Sequence, residues 1–257
     1  MLPRSLTLAA FAGAMFLPLT GAAKPVTLKY RIAQTTEQTV DATAAGQGEQ
    51  KVRIGYVAFL TVVLDDSAGG RTVRATVDSI SADSLADANF VAPILSAKGT
   101  TGTGFVDTAG KLNGFESADT AQAIQMGTLR GLVTSLFPKV KATAKAGETW
   151  TDTTQTTDSV GPGPTTRSAV TNYKASAGIA SSLKYDMTSS YSVAGSAANG
   201  VVYEGSGRNV GSFQRAPEGY MVEGTFNDNS DLSLTHPSLT EPMPVANVST
   251  VSIALLK

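Results

Sequence analysis

Alternation between apolar and polar residues is the dominant pattern along this chain, and it is clearest over residues 52–64. The apolar residues at the even positions are Val52, Ile54, Tyr56, Ala58, Leu60, Val62 and Leu64. Side chains alternate between the faces of a strand, so these residues share one face. The odd positions begin with Lys51 and Arg53 and continue with Val57, Phe59 and Val63. We therefore expect one long strand whose second half is covered on both faces.

Shorter stretches of the same alternation predict strands on either side of this one. They cover residues 27–32, 72–80, 100–107, 111–116, 149–151, 167–173, 183–193, 201–213, 220–226 and 247–256. Asp65–Gly70 and the pair Asn199-Gly200 have the composition of tight turns and predict hairpins. The chain therefore holds about eleven candidate strands. Residues 81–99 fit no single pattern, and Pro93 argues against one continuous helix there.

One stretch, residues 118–137, has the period of a long helix. Its predicted buried face consists of Ala121, Met126, Leu129, Leu132, Val133, Leu136 and Phe137. Ser117 or Asp119 is suited to cap its start, and Pro138 ends it. A second stripe consists of the small residues Ala123, Gly127, Gly131, Thr134 and Ser135. Glycine costs about 1 kcal/mol relative to alanine inside a helix, so we expect another element to approach this stripe closely.

These elements predict an α+β fold that is mostly β. We expect a curved antiparallel sheet or open β-barrel of about eleven strands that clasps one long helix. Its two halves, about 24–116 and 149–257, are joined by helix 118–137 within a single β-rich domain, 24–257. Residues 1–23 have the basic start, apolar stretch and small-residue end of a signal peptide. The predicted location is therefore outside the cytoplasm, in a periplasm or the extracellular space.

Composition excludes several kinds of chemistry and partner. The chain has no cysteine and one histidine, His236, which excludes thiol catalysis and metal sites built on several histidines or cysteines. A Ser-His-Asp triad would have to use His236, which lies in a turn before Pro237 and suits a surface loop better. The net charge is −1 without a basic block, so nucleic acid is not an expected partner. Polar residues interrupt the long helix, so we do not expect an integral helical membrane protein. We expect no cofactor and no enzyme activity.

Two other interpretations remain open, a calcium site and a membrane-spanning β-barrel. Asp65 and Asp66, or Asp228 with Asp231, supply oxygens for calcium, although residues 227–231 lack the glycine and glutamate of a full calcium loop and also suit a solvated hairpin tip. A barrel that crosses a membrane with its strands is compatible with the alternation, but aromatic residues are only 7% of the chain.

The segment from Phe137-Pro138 to Gly147-Glu148-Thr149-Trp150 resembles a group of uncharacterised exported bacterial proteins. In that group a leucine-rich helix ends in Phe-Pro or Leu-Pro and leads into a strand that starts with glycine, an acid, serine or threonine, and tryptophan. Many members carry a lipobox cysteine, which this chain lacks. More loosely, the plan is similar to the open β-barrel of periplasmic lipoprotein carriers, in which a helix plugs a concave sheet. The resemblance implies an exported β-rich protein and no catalytic residue.

We expect a non-enzymatic exported protein that binds an apolar or amphiphilic ligand, such as a lipid, or a protein segment in the concave sheet. The candidate ligand-binding residues are Tyr56, Phe59, Leu132, Leu136 and Trp150. Trp150 suits a core position as well as a wall of a cleft. The alternative is a structural or surface-assembly protein of the cell envelope without a small ligand, for which the strands rich in threonine, serine and glycine are typical.

Overall fold

The computed structural model describes residues 25–108, 111–116, 123–141, 143–158, 163–197, 200–239 and 241–257. These ranges contain eleven strands, all in one antiparallel sheet, and two α-helices. The strands are β1 (Val26–Asp41), β2 (Glu49–Ser67), β3 (Gly70–Ala82), β4 (Thr101–Asp107), β5 (Leu112–Glu116), β6 (Thr149–Asp158), β7 (Thr165–Ala177), β8 (Leu183–Ser196), β9 (Val202–Arg215), β10 (Met221–Thr235) and β11 (Met243–Leu256). The helices are α1 (Ala88–Leu95) and α2 (Ala123–Ser135). The predicted mostly β fold is confirmed, whereas the predicted signal peptide lies outside the described residues.

The sheet consists of two meanders that meet in its middle. The strand order is β5-β4-β3-β2-β1-β11-β10-β9-β8-β7-β6, so β5 and β6 form the edges. β1 and β11 pair from Lys29 opposite Leu256 to Val40 opposite Val245. This central pair joins the strands before α2 and the strands after it into one surface.

The core lies on one face of this sheet, which we call the inner face. On β2 the inner residues from Tyr56 to Leu64 are buried, as the alternation predicts. On the outer face Val57 and Val63 are half-buried, and Phe59 is 36% exposed beside its cross-strand partner Arg31. The expectation that the second half of this strand is covered on both faces is therefore wrong. Single apolar side chains on a surface are common, so alternation cannot show which faces another element covers.

Helix α2 packs its predicted apolar face on the inner face of the sheet, against β3, β4 and β5. The buried residues of this face are Met126, Leu129, Leu132, Val133, Leu136 and Phe137. At the end of the helix, the backbone N–H of Met221 donates to the carbonyl of Leu136 over 2.8 Å. The hydroxyl of Tyr30 donates to the carbonyl of Met221 over 2.8 Å. The end of α2 is thus tied to both meanders. Ala121 and the predicted caps Ser117 and Asp119 lie outside the described residues.

The two glycines in the stripe of small residues on α2 face solvent. Gly127 and Gly131 are exposed, and a Cβ atom built on either would meet no atom within 4 Å among the described residues. Thr134 on the same stripe is exposed as well. The predicted close approach of another element is therefore wrong, because no described element packs on these two glycines.

One local prediction agrees with the structure and one differs from it. Residues 81–99 do not form one continuous helix: they contain the end of β3 and the eight-residue helix α1, which includes Pro93. The cap of α1 is Asp87, whose carboxylate accepts from the N–H of Asn89 over 2.9 Å. In so short a helix the proline removes a single donor, which the cap and neighbouring contacts tolerate. Residues 227–231 lie within the continuous strand β10 and do not form a hairpin tip. Their side chains alternate, so Asp228 and Asp231 point to opposite faces.

Candidate functional site

A cavity of about 560 Å³ lies between the end of α2 and the inner face of β6–β11. The apolar residues that line it are Leu112, Phe137, Pro138, Tyr173, Met187, Phe213, Met221, Phe226, Val251 and Ile253. The polar residues that line it are Lys111, Thr134, Ser135, Lys139, Asp152, Thr154, Thr171 and Asn209. This volume and this mixture are typical of sites for small molecules, which combine a mostly apolar wall with a few polar groups.

The apolar floor of the cavity is a row of side chains that crosses the strands. The register places Tyr173 opposite Met187, and Phe226 opposite Val251. Between these pairs lies Gly211, where a Cβ atom would stand 2.4 Å from Cδ1 of Phe226. The Phe226 ring therefore occupies the place of a side chain on β9. The row follows directly from the inner-face alternation of five neighbouring strands.

A row of polar side chains lies beside the apolar row, two residues away from it on each strand. Its members, from β6 to β1, are Asp152, Thr171, Ser189, Asn209, Asp228, Ser249 and Thr36. The buried Thr171 hydroxyl donates to Ser189 over 2.9 Å. The Asp228 carboxylate accepts from Asn209 over 3.2 Å and from the Tyr191 hydroxyl over 2.6 Å.

Two residues along a strand span about 6.6 Å, so the inner face changes from apolar to polar within that distance. An elongated molecule with an apolar part and a polar part matches this change. The floor is therefore amphiphilic, with its apolar side nearer the buried core.

A chain of aromatic contacts connects the cavity to the only tryptophan of the sequence. Trp150 stacks on Tyr173 with ring centroids 5.0 Å apart and forms a T-shaped contact with Tyr185, with ring centroids 6.1 Å apart. Tyr185 in turn stacks on Phe213 at 5.0 Å. Burial and the nearby Asp152 carboxylate raise the pKa of Tyr173. The fluorescence of Trp150 should therefore respond when a ligand contacts Tyr173 or Phe213.

The five sequence-predicted site residues do not form one surface. Tyr56 is buried on the inner face and donates to Gln34 Oε1 over 2.8 Å, and its burial raises the pKa of Tyr56 to about 12. Phe59 lies on the outer face of the same strand. Leu132 and Leu136 are buried in the contact between α2 and the sheet. Trp150 is half-buried behind Tyr173.

None of these five is among the residues that line the cavity, although Leu136 precedes the lining residue Phe137 and Trp150 stacks on another, Tyr173. Sequence reasoning thus pointed to the end of α2 that borders this cavity and selected none of the residues of its floor. The alternation of 183–193 and 220–226 groups Met187 and Phe226 with the apolar residues of their strands, and this signal could have found the floor.

The other candidate chemical groups lie outside the cavity. Nδ1 of His236 accepts from the N–H of Ser238 over 3.2 Å within the turn that follows β10. Within the described ranges no cluster of three or more histidine, aspartate or glutamate side chains is arranged to hold a metal ion. Over the same ranges, no helix has the length and apolar character needed to cross a membrane.

Comparison with known proteins identifies the fold and no family. No family model matches the chain, and no curated protein matches it. The structure is similar to lipovitellin, in a solved structure titled "Lipid-protein interactions in lipovitellin", with a TM-score of 0.51 and 11% sequence identity. The match covers 90% of this chain and 25% of lipovitellin, so the chain spans about a quarter of that protein's length. At this identity the similarity shows a shared β-sheet fold.

Proposed function

We propose that this protein is an exported, non-enzymatic binding protein that takes up the apolar tail of an amphiphilic molecule, such as a lipid. The main support for this proposal is the cavity under the end of α2, with ten apolar lining residues and a polar row beside them. The distant structural similarity to lipovitellin, whose solved structure is titled for lipid–protein interactions, supports this proposal. Export rests on the signal-like residues 1–23.

The expected affinity depends on how many methylene groups of the tail the cavity can bury. Each methylene group moved from water to an apolar site gains about 0.8 kcal/mol, so a tail that buries ten of them gains about 8 kcal/mol. That free energy corresponds to a dissociation constant of about 1 μM, and the ordering of ligand and side chains weakens it. We therefore expect dissociation constants of about 1 μM or higher for single-chain amphiphiles.

The proposal is tested by native mass spectrometry of the protein after exposure to a lipid extract, together with titration of Trp150 fluorescence. Val251→Phe adds a ring inside the cavity, whereas Val248→Phe adds the same ring on the outer face of the same strand, where Val248 is 54% exposed. We expect wild type and Val248→Phe to retain lipid and Val251→Phe to lose most of it.

Circular dichroism of each variant shows whether it remains folded. A wild-type protein that retains no adduct from any extract contradicts the proposal. Equal retention by a folded Val251→Phe variant contradicts the assignment of the cavity as the binding site.

A second candidate function, assembly with copies of itself in an envelope structure, is favoured by the edge strand β6. The opposite edge, β5, has only five residues and a register shift, and Arg130 Nη2 donates to its Phe115 carbonyl over 2.8 Å. In contrast, β6 pairs with β7 in unbroken register from Thr149 to Asp158. A long regular edge strand is a template for pairing with another strand.

Sedimentation of wild type against Thr153→Lys and Gln155→Lys tests this second candidate, because charges on an edge strand oppose pairing between edges. We expect assemblies of wild type and smaller species for the lysine variants. A wild type that stays monomeric at all concentrations refutes assembly and leaves the binding proposal intact.

A further inference from the structure

The exposed residues among the cavity lining show where the cavity opens. Lys111, Thr134 and Lys139 both line the cavity and are exposed to solvent. Lys139 follows the end of α2, and Lys111 precedes β5. These exposed residues mark the solvent-facing part of the cavity, which we call its opening, and two of the three are lysines.

Neither ammonium group forms an ion pair with a carboxylate of the described residues. Glu148, on the segment that leads into β6, is already paired with Lys141. The lining residues include one carboxylate, that of Asp152, which is half-buried on β6. The charges on the cavity lining therefore sum to a positive value, with the two cations at the opening and the one anion deeper.

Most carbonyl groups at the end of α2 already accept hydrogen bonds. The free carbonyl groups of a helix end carry partial negative charge, which would oppose an anion. Here the carbonyls of Leu132, Val133 and Thr134 accept from Ser135 Oγ and from the N–H groups of Leu136 and Phe137. The carbonyl of Leu136, just beyond the helix, accepts from the N–H of Met221. These bonds reduce the number of free carbonyl groups that could repel an anion.

We propose that the cavity selects amphiphiles with an anionic head group, a carboxylate or a phosphate, which Lys111 and Lys139 bind at the opening. The tail of such a ligand lies over the floor formed by Met187 and Phe226. This inference rests on the proposed binding function and adds the chemical class of the ligand. A lysine ammonium is a point charge that suits either anion.

The test compares dodecanoate, dodecyl phosphate and the neutral dodecanol, which share one tail, by Trp150 fluorescence titration. The variant is Lys111→Gln/Lys139→Gln, and the matched control is Lys98→Gln/Lys184→Gln, which removes two exposed lysines elsewhere. Exposed ion pairs are weak, so we expect the variant to bind the two anions about three- to tenfold less tightly. Dodecanol binding should stay within about twofold of wild type, because a neutral head group gains little from the charges.

Two further measurements follow from the same electrostatics. Added salt should weaken dodecanoate binding to wild type and have little effect on the double variant, because screening acts on the exposed charges. Asp152→Asn should strengthen dodecanoate binding about twofold, since it removes the one anion from the lining.

The outcomes separate the two proposals. Unchanged anion binding by Lys111→Gln/Lys139→Gln, or an equal loss for anions and dodecanol, overturns the head-group assignment and leaves the binding function standing. If wild type binds none of the three probes, the binding function itself fails.

Discussion

Replacing the two exposed glycines of α2 by alanine should stabilise the protein. Alanine is favoured over glycine by about 1 kcal/mol in a helix interior, partly because it restricts the unfolded chain. At Gly127 and Gly131 the new Cβ atoms enter open space, and neither residue has a positive φ. Each substitution should therefore raise the free energy of unfolding by about 0.5–1 kcal/mol, and the double variant by about 1–2 kcal/mol.

Thermal and urea unfolding measure this stabilisation. For a protein of this size, 1 kcal/mol corresponds to about 2–4 °C in Tm, so the double variant should melt about 2–8 °C higher. The matched control is Gly211→Ala, whose Cβ atom would lie 2.4 Å from the Phe226 ring and should destabilise by about 1–3 kcal/mol.

A fall in Tm for Gly127→Ala or Gly131→Ala would refute the reasoning. It would mean that another element covers this stripe after all, as the sequence pattern alone suggested.

Three further predictions concern the core and one ion pair. Tyr30→Phe removes the buried donor to the Met221 carbonyl and should lower the free energy of unfolding by about 1–3 kcal/mol, measured in urea. Leu129→Ala removes a fully buried side chain of α2 and should cost about 2–5 kcal/mol in the same assay. The hydrogen bond from Arg53 lowers the pKa of Asp83 from its ordinary value of 3.8. This ion pair therefore stabilises the fold above that value and loses its effect as the pH falls through the lowered pKa. The Tm difference between wild type and Asp83→Asn should thus be larger at about pH 7 than at about pH 2, and an equal difference at both would contradict the ion-pair explanation.

The strands and the buried face of α2 were predictable because each follows a simple period. The sequence patterns located part of every strand, although β1, β6 and β10 extend well beyond the predicted residues. The helical period selected Leu129 and Val133, which are fully buried. These periodic patterns depend on local sequence, so they can be recognised without knowledge of tertiary contacts.

The cavity could not be predicted in the same way. Its floor joins Tyr173, Met187, Phe226 and Val251 from four strands, and their alignment depends on register across the sheet. Alternation assigns each of them to a face and leaves open which faces meet and which are covered. Phe59 shows the same limit, because its apolar neighbours suggested burial on a face that no described element covers.

The prediction that another element packs against the glycines of α2 was wrong for a different reason. Small residues at helical spacing are equally compatible with close packing and with an open surface, and only the neighbouring elements distinguish the two. The structure places solvent there, so each glycine costs about 1 kcal/mol of helix stability, and no described element packs on the stripe to offset it.

The meeting of β1 and β11 in the middle of the sheet has a consequence for how the molecule forms. The hydroxyl groups of Thr36 and Ser249 form a hydrogen bond across this pair of strands, and the two residues are 213 positions apart. While the polypeptide is being synthesised, β1 can pair with β2 but must wait for β11, and its other edge stays open to wrong partners. Contacts between such distant residues also make folding slow. Of the eleven described strands, the one that joins the two meanders is therefore made after the other ten.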